Sequence, residues 1–161
     1  TNFLYNKGIE KLVSKGYTIV GIVNDGRKGL VQSFGLIPVQ MYQFHQQAII
    51  RRYITKSSKL LASIELKELG AMLKKTDKES FKGSLNDWFM KWEYFLNERT
   101  SNITSGKSYC VLKRIRSAYS NIKSNLPWLF SLYDYFQLNT PNMPNMTNAI
   151  DAYFADCKEQ T

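Results

Sequence analysis

Cysteine and histidine are nearly missing from this chain of 161 residues, which holds only Cys110, Cys157 and His45. One histidine, with no cysteines at short spacing, rules out a tetrahedral zinc site. The two cysteines are far apart and form no CxxC, so a thiol redox motif drops out and a reducing, cytoplasmic setting fits better. No stretch approaches the ~20 apolar residues that span a bilayer, and the longest, Ile19–Val23, is strand-sized. Neither GxxxxGK[ST] nor GxGxxG occurs, so a glycine-rich phosphate cradle has no support. GxSxG is missing as well. The first residues show no secretory-signal pattern. Thr1 opens the chain without an initiator Met, inside a helical pattern, which leads us to expect an excised or truncated piece.

Acid is also short. Asp and Glu total 13 against 22 Lys and Arg, giving a net charge of +9 and a pI near 9.5. Such a surface attracts polyanions, nucleic acid first and an anionic membrane surface second. The 43% hydrophobic and 14% aromatic content belongs to a folded chain, one domain or a small core with an inserted subdomain. The basic residues are grouped: Arg51 and Arg52 with Lys56 and Lys59; Lys74, Lys75 and Lys78; Lys113, Arg114 and Arg116 with Lys123 beyond. Each group alone also reads as a solvated helix face. Three of them on a +9 chain favour a phosphate-binding surface.

Phe3, Leu4, Ile9, Leu12 and Val13 roughly follow a helical stripe, which Gly16 stops. Tyr17–Val23 reads as a strand buried on both faces, ending at the turn Asn24-Asp25-Gly26. Arg27–Phe34 predicts a short helix and Pro38–Tyr42 a second strand, an α/β pattern. From Gln46 onward the periodicity is helical. Leu85, Trp88, Phe89, Trp92 and Phe95 form one stripe, and Tyr109, Leu112, Ile115, Tyr119 and Ile122 another. Pro127 is expected to open a helix over Trp128–Phe136. An Asn- and Pro-rich loop, Asn139–Asn148, then leads to a last helix, Ala149–Lys158, capped by Asn148. The expected organisation is a first core segment at 1–45, an all-helical insertion at 46–138, and a loop with a final core helix at 139–161. The fold class is α/β, predominantly helical overall.

Asp25 closes a strand at its carboxyl end, where open α/β sheets place ligands; Asp-Gly is equally an ordinary turn dipeptide. Asp151 lies in the first turn of the last helix, with Lys158 on the same face almost two turns later. That pair suits a metal ion beside a phosphate, and it also fits a capping box and a solvated face. His45 reads first as a structural hydrogen-bonding residue. Trp88 and Trp92, four apart, read as core before base-stacking.

Five blocks together resemble bacterial insertion-sequence transposases of the Mutator-like DDE group. They are IVNDGRKGL at Ile22–Leu30, PVQMYQFHQQAIIRRY at Pro38–Tyr53, TDKESFKGSLNDWFMKWEYFLNERT at Thr76–Thr100, KRIRSAYSNIKSNLPWLFSLYDY at Lys113–Tyr135 and PNMTNAIDAYFADCK at Pro144–Lys158. The resemblance implies a partial RNase H-like core interrupted by a large all-helical insertion. It implies phosphodiester cleavage and strand transfer on DNA with two Mg²⁺ (or Mn²⁺) ions, for which carboxylates are the natural ligands. Asp25 matches the family's second Asp, as a catalytic and metal-binding residue. Asp151 stands where the family has its catalytic Glu, and Lys158 matches a basic residue seven positions on. Lys158, Arg51, Arg52, Arg114 and Arg116 are then the DNA-binding candidates. His45, the His of a C-x-x-H motif, and Asn148 are candidates to steady the carboxylates. The implied partners are DNA and further copies of the full-length enzyme, with no membrane, in the bacterial cytoplasm at the nucleoid.

The chain departs from the pattern three times. No residue matches the family's first Asp, position 151 is one methylene short of Glu, and Tyr42 replaces the motif's Cys. The expectation is therefore a chain inactive by itself. Two other classes stay open: a non-catalytic nucleic-acid-binding module from a decayed transposase, and a protein-interaction domain, which requires the Trp88–Phe95 stripe to be exposed.

Overall fold

The computed structural model describes residues 2–26, 29, 32–101, 103, 105–106 and 108–132. The chain is predominantly helical with two small sheets. It forms two compact units, residues 1–42 with 128–161, and residues 43–127. The sequence pattern places the divisions slightly later, after 45 and after 138. No helix among the described residues is long and apolar enough to cross a membrane.

The first unit opens with α1 (Asn2–Ser14). Its end is a Schellman motif: Gly16 has φ +88°, its N–H donates to the Val13 carbonyl at 2.9 Å, and the Tyr17 N–H donates to Leu12 at 3.1 Å. Two short strands follow, β1 (Ile22–Asn24) and β2 (Val39–Met41), paired in parallel with Ile22 opposite Val39. A parallel pair needs a crossover of about a dozen residues or more; here residues 25–38 supply it, including a 3-10 turn at Gln32–Phe34. Phe34 and Val39 are buried, with Ile9, Ile22 and Ile37 packed against them. Residues 131 and 132 bond to β2: the Ser131 hydroxyl donates to the Val39 carbonyl at 2.7 Å, and the Leu132 N–H to Gln40 Oε1 at 3.1 Å.

The strand expected over Tyr17–Val23, buried on both faces, is a three-residue strand that is only half-buried. Among the described residues β1 has one neighbour, so one edge of its backbone is left without a ladder. Tyr17 and Val20 are exposed. The helix expected over Arg27–Phe34 is described only near its end, as the 3-10 turn; residues 27, 28, 30 and 31 lie outside the described residues.

The second unit contains α2 (Gln43–Tyr53), α3 (Leu61–Met72), α4 (Lys78–Leu96), a hairpin of β3 (Arg99–Ser101) and β4 (Ser108–Cys110), and most of α5 (Lys113–Leu129). α3 packs on α2 closely enough that a Cβ at Gly70 would stand 2.6 Å from Ile50 Cδ1. α4 starts at Asp77, whose carboxylate accepts from the Ser80 N–H at 2.9 Å and the Ser80 hydroxyl at 2.6 Å, satisfying an orphan donor of the first turn. Trp88 is buried and donates from Nε1 to the Ala62 carbonyl at 3.1 Å. Phe89 stacks on Tyr119 with ring centroids 4.6 Å apart, joining α4 to α5. The fully buried Gln46 joins α2 to α5: its Nε2 donates to Asn121 at 3.0 Å and its Oε1 accepts from Asn125 at 2.8 Å.

Three expectations change here. The insertion is not all-helical, because β3 and β4 form an antiparallel hairpin with Thr100 opposite Tyr109. Both strands are almost wholly exposed, so no core face imposes an alternating pattern that the sequence could display. Tyr109 accordingly sits on β4 and not on a helix. Pro127 lies inside α5 instead of opening a new helix. It removes the bond to the Lys123 carbonyl only two residues before the helix ends. Residues 133–136 of the helix expected after it, the loop Asn139–Asn148 and the last helix lie outside the described residues.

Candidate nucleic-acid interface

Asp25 stands exposed just beyond the carboxyl end of β1, in a turn built by its neighbours. Asn24 Oδ1 accepts from the Gly26 N–H at 2.7 Å, and Gly26 takes φ +81°. The Tyr42 N–H donates to the Asn24 carbonyl at 2.7 Å, which extends the parallel ladder to the edge of the turn. The turn around Asp25 is thus held by Asn24 and Gly26. Asp151, Lys158 and Asn148 lie outside the described residues. His45 is half-buried in the first turn of α2, in the other unit from Asp25.

A divalent ion of the implied kind needs several oxygen ligands. Among the described residues no group of three or more His, Cys, Asp or Glu side chains stands ready to hold an ion. Asp25 by itself is too small a donor set, and no chemical step through a metal follows from it. Glu65 is a paired carboxylate, which takes Lys91 Nζ at 2.6 Å and Trp92 Nε1 at 2.7 Å. Those bonds, Lys91 first, hold its carboxyl below the ordinary value. They fasten α3 to α4, a structural task.

The basic candidates of the second unit are all exposed. Arg51 and Arg52 occupy the last turn of α2, where positive charge is favourable. Arg114, from the first turn of α5, donates from Nη2 to the Arg52 carbonyl at 2.7 Å. That bond caps the end of α2 and brings Arg114 to the Arg52 backbone, with Arg51 next to Arg52 along the chain. None of the three makes an ion pair with the described residues.

Arg116 faces elsewhere, into an open hollow of about 480 Å³ between α5 and the hairpin. The helix side is Lys113, Arg116, Ser117 and Ser120, spaced i, i+3, i+4 and i+7 and so on one face. The hairpin side is Arg99, Ser108, Tyr109 and Cys110. Arg99 donates from Nε to Ser108 Oγ at 2.8 Å, which holds its guanidinium on the strand pair. The Cys110 thiol is half-buried, with Sγ 3.5 Å from the Leu96 carbonyl it donates to. Among the described residues no Asp or Glu lines the hollow. Of these residues, charge grouping along the chain singles out Lys113 and Arg116. The helix-spaced serines are visible in the sequence as a pattern, whereas Arg99, Ser108 and Tyr109 carry no signal until the hairpin places them.

The aromatic stripe of α4 forms no docking face. Leu85 and Trp88 are buried and Phe89, Trp92 and Phe95 half-buried, which removes the support for a protein-interaction surface there. No protein-family model, curated protein or solved structure matches the chain.

Proposed function

We propose that this chain is a DNA-binding region of the Mutator-like DDE transposase lineage, with its helical unit as the surface that grips the DNA backbone. The observation that carries the reading is the arginine cluster. Arg51, Arg52 and Arg114 are exposed at the end of α2 and the start of α5, which the Arg114 bond to the Arg52 carbonyl joins, on a chain with net charge +9. Guanidinium groups in such a cluster match phosphate geometry and release counterions on binding. The order of the five resembling blocks supports the lineage, and with it an RNase H-like core around β1 and β2. Asp25 and Asp151 are then the carboxylates for Mg²⁺ or Mn²⁺, and Lys158 a DNA contact, in an enzyme that works as a homo-oligomer on DNA ends. Because no residue matches the family's first Asp and Asp151 is short, this chain binds DNA without cleaving it.

Fluorescence anisotropy on a labelled duplex at rising salt tests the grip. Log affinity should fall linearly with log salt, and replacing Arg51, Arg52 and Arg114 by Ala should lower the slope by about one for each phosphate left unneutralised. No binding by the unaltered chain at low salt removes the reading. Calorimetric Mn²⁺ titration separates catalytic ancestry from a non-catalytic module. Binding lost in both Asp25→Asn and Asp151→Asn supports a shared metal site, and equal affinity in all three proteins leaves the non-catalytic module.

A further inference from the structure

We propose that the hollow between the β3–β4 hairpin and α5 is a second seat for the DNA backbone, separate from the arginine cluster, where Arg99, Lys113 and Arg116 hold a phosphate group. This rests on the nucleic-acid reading above and extends the grip to another side of the α5 start. The strand register fixes the hairpin wall. Arg99 stands opposite Cys110, and both cross-strand partners and residues two apart share a face. Arg99, Ser108 and Cys110 therefore line one face, and the Tyr109 side chain belongs to the other. The bond from Arg99 Nε to Ser108 Oγ at 2.8 Å lies on that first face. The helix wall is the Lys113, Arg116, Ser117 and Ser120 face of α5.

The charge of the hollow is one-sided. No carboxylate among the described residues lines it, and none of its three cations is ion-paired with a described residue. Arg99 is held by neutral oxygens, Ser108 Oγ and the Ser108 carbonyl at 3.4 Å, so it is positioned without being neutralised. Guanidinium and ammonium groups only donate, so the occupant is an anion, and the Ser117 and Ser120 hydroxyls suit phosphate oxygens. The start of α5 decides between a small anion and a long one. Arg114 follows Lys113 directly and so projects about 100° further round the helix, where it meets the end of α2 at the Arg52 carbonyl. Cationic side chains are thus set on two sides of one helix start, with Arg51 and Arg52 beyond the first and Arg99 beyond the second. A small anion fills one of these places. A polyanion with a phosphate on every sugar occupies both and releases counterions at each.

The test uses the full chain with a labelled duplex followed by anisotropy over a salt series, inorganic phosphate followed by calorimetry, and vesicles containing phosphatidylserine. Arg99→Gln, Lys113→Gln and Arg116→Gln together should lower the duplex salt slope by about 0.9 for each phosphate left unneutralised. That loss should add to the one caused by replacing Arg51, Arg52 and Arg114. Ser108→Ala leaves the net charge alone and loosens Arg99; it should weaken duplex binding about threefold or more, and Ser108→Thr, which keeps the hydroxyl, should retain it. These side chains are exposed, and circular dichroism checks that the variants fold. Unchanged slope and affinity in the triple variant, with the duplex still bound, overturns the seat and leaves the arginine-cluster reading standing. A lowered slope in the triple variant with no effect of Ser108→Ala reduces the hollow to diffuse surface charge and also overturns it. Inorganic phosphate or vesicle binding lost in the triple variant, with duplex binding intact, gives the hollow to a small phosphate or a lipid and overturns it too. No duplex binding by the unaltered chain at low salt removes both proposals.

Discussion

Between α2 and α5, Phe81, Leu66 and Ile122 are sealed from solvent, and the polar Gln46 among them is bonded on both ends of its amide. In the first unit, α1 leaves Phe3, Leu4 and Val13 more than half exposed, and among the described residues its sheet is one pair of three-residue strands. Two strands alone are marginal in water, so β1 and β2 depend on Phe34, Val39 and the bonds from residues 131 and 132. The difference teaches where rigidity resides. The unit that carries the three basic groups is the one with a dense core, which suits a surface that must hold several charges in fixed relation.

Phe81→Ala should have the largest effect. Phe81 is 1% exposed, and truncating a buried Phe costs about 3–5 kcal/mol, read as a lower denaturation midpoint. Hydrogen exchange sharpens the comparison: protection should fall across α2–α5 and persist at Ile22–Asn24. Equal loss at both would merge the two units into one cooperative whole. Next comes Gly26→Ala, aimed at the first unit. A side chain at φ +81° costs about 1–2 kcal/mol, and its Cβ would meet Met41 Sδ at 2.8 Å. The expected readout is reduced exchange protection at β1–β2, and an unchanged β1–β2 would show that the turn is not what holds the strand pair. Gly83→Ala should act the other way. Gly83 lies within α4 with open space where its Cβ would go, so the helical unit should gain about 0.5–1 kcal/mol. A loss would mean that α4 tolerates no side chain there.

The smallest effect is a pH dependence at Asp77. The Ser80 hydroxyl, then the Ser80 N–H, hold its carboxyl below the ordinary value in the folded chain. Its contribution is therefore complete above the unfolded-state value of about 3.9 and fades as pH falls through the lower folded one. Asn caps helices about as well but does not titrate here. Melting temperatures of the unaltered chain and Asp77→Asn should diverge below pH ~4, the unaltered chain losing more. Parallel curves would mean that the cap does not contribute.

Much of this architecture is readable from local pattern. Gly16 as a helix stop, Pro38–Tyr42 as a strand site, the Leu85–Phe95 stripe as a helix and Trp88 as core all follow from spacing and backbone preference within a few residues. The net charge and its grouping into clusters are equally plain. The hairpin is not, because Arg99–Ser101 and Ser108–Cys110 bury almost nothing and so display no period. The continuation of α5 through Pro127 is also hidden, since proline reads locally as a start or a break.

By itself the sequence determined most of the helical stripes, the strand site at Pro38–Tyr42 and the excess of positive charge, since each is set by residues close together along the chain. Only the tertiary structure decided which charges work together. Arg114 meets the Arg52 carbonyl across 62 residues, and Lys113 and Arg116 face Arg99 only because the hairpin folds against α5. Such pairings are packing outcomes between side chains with no shared local pattern.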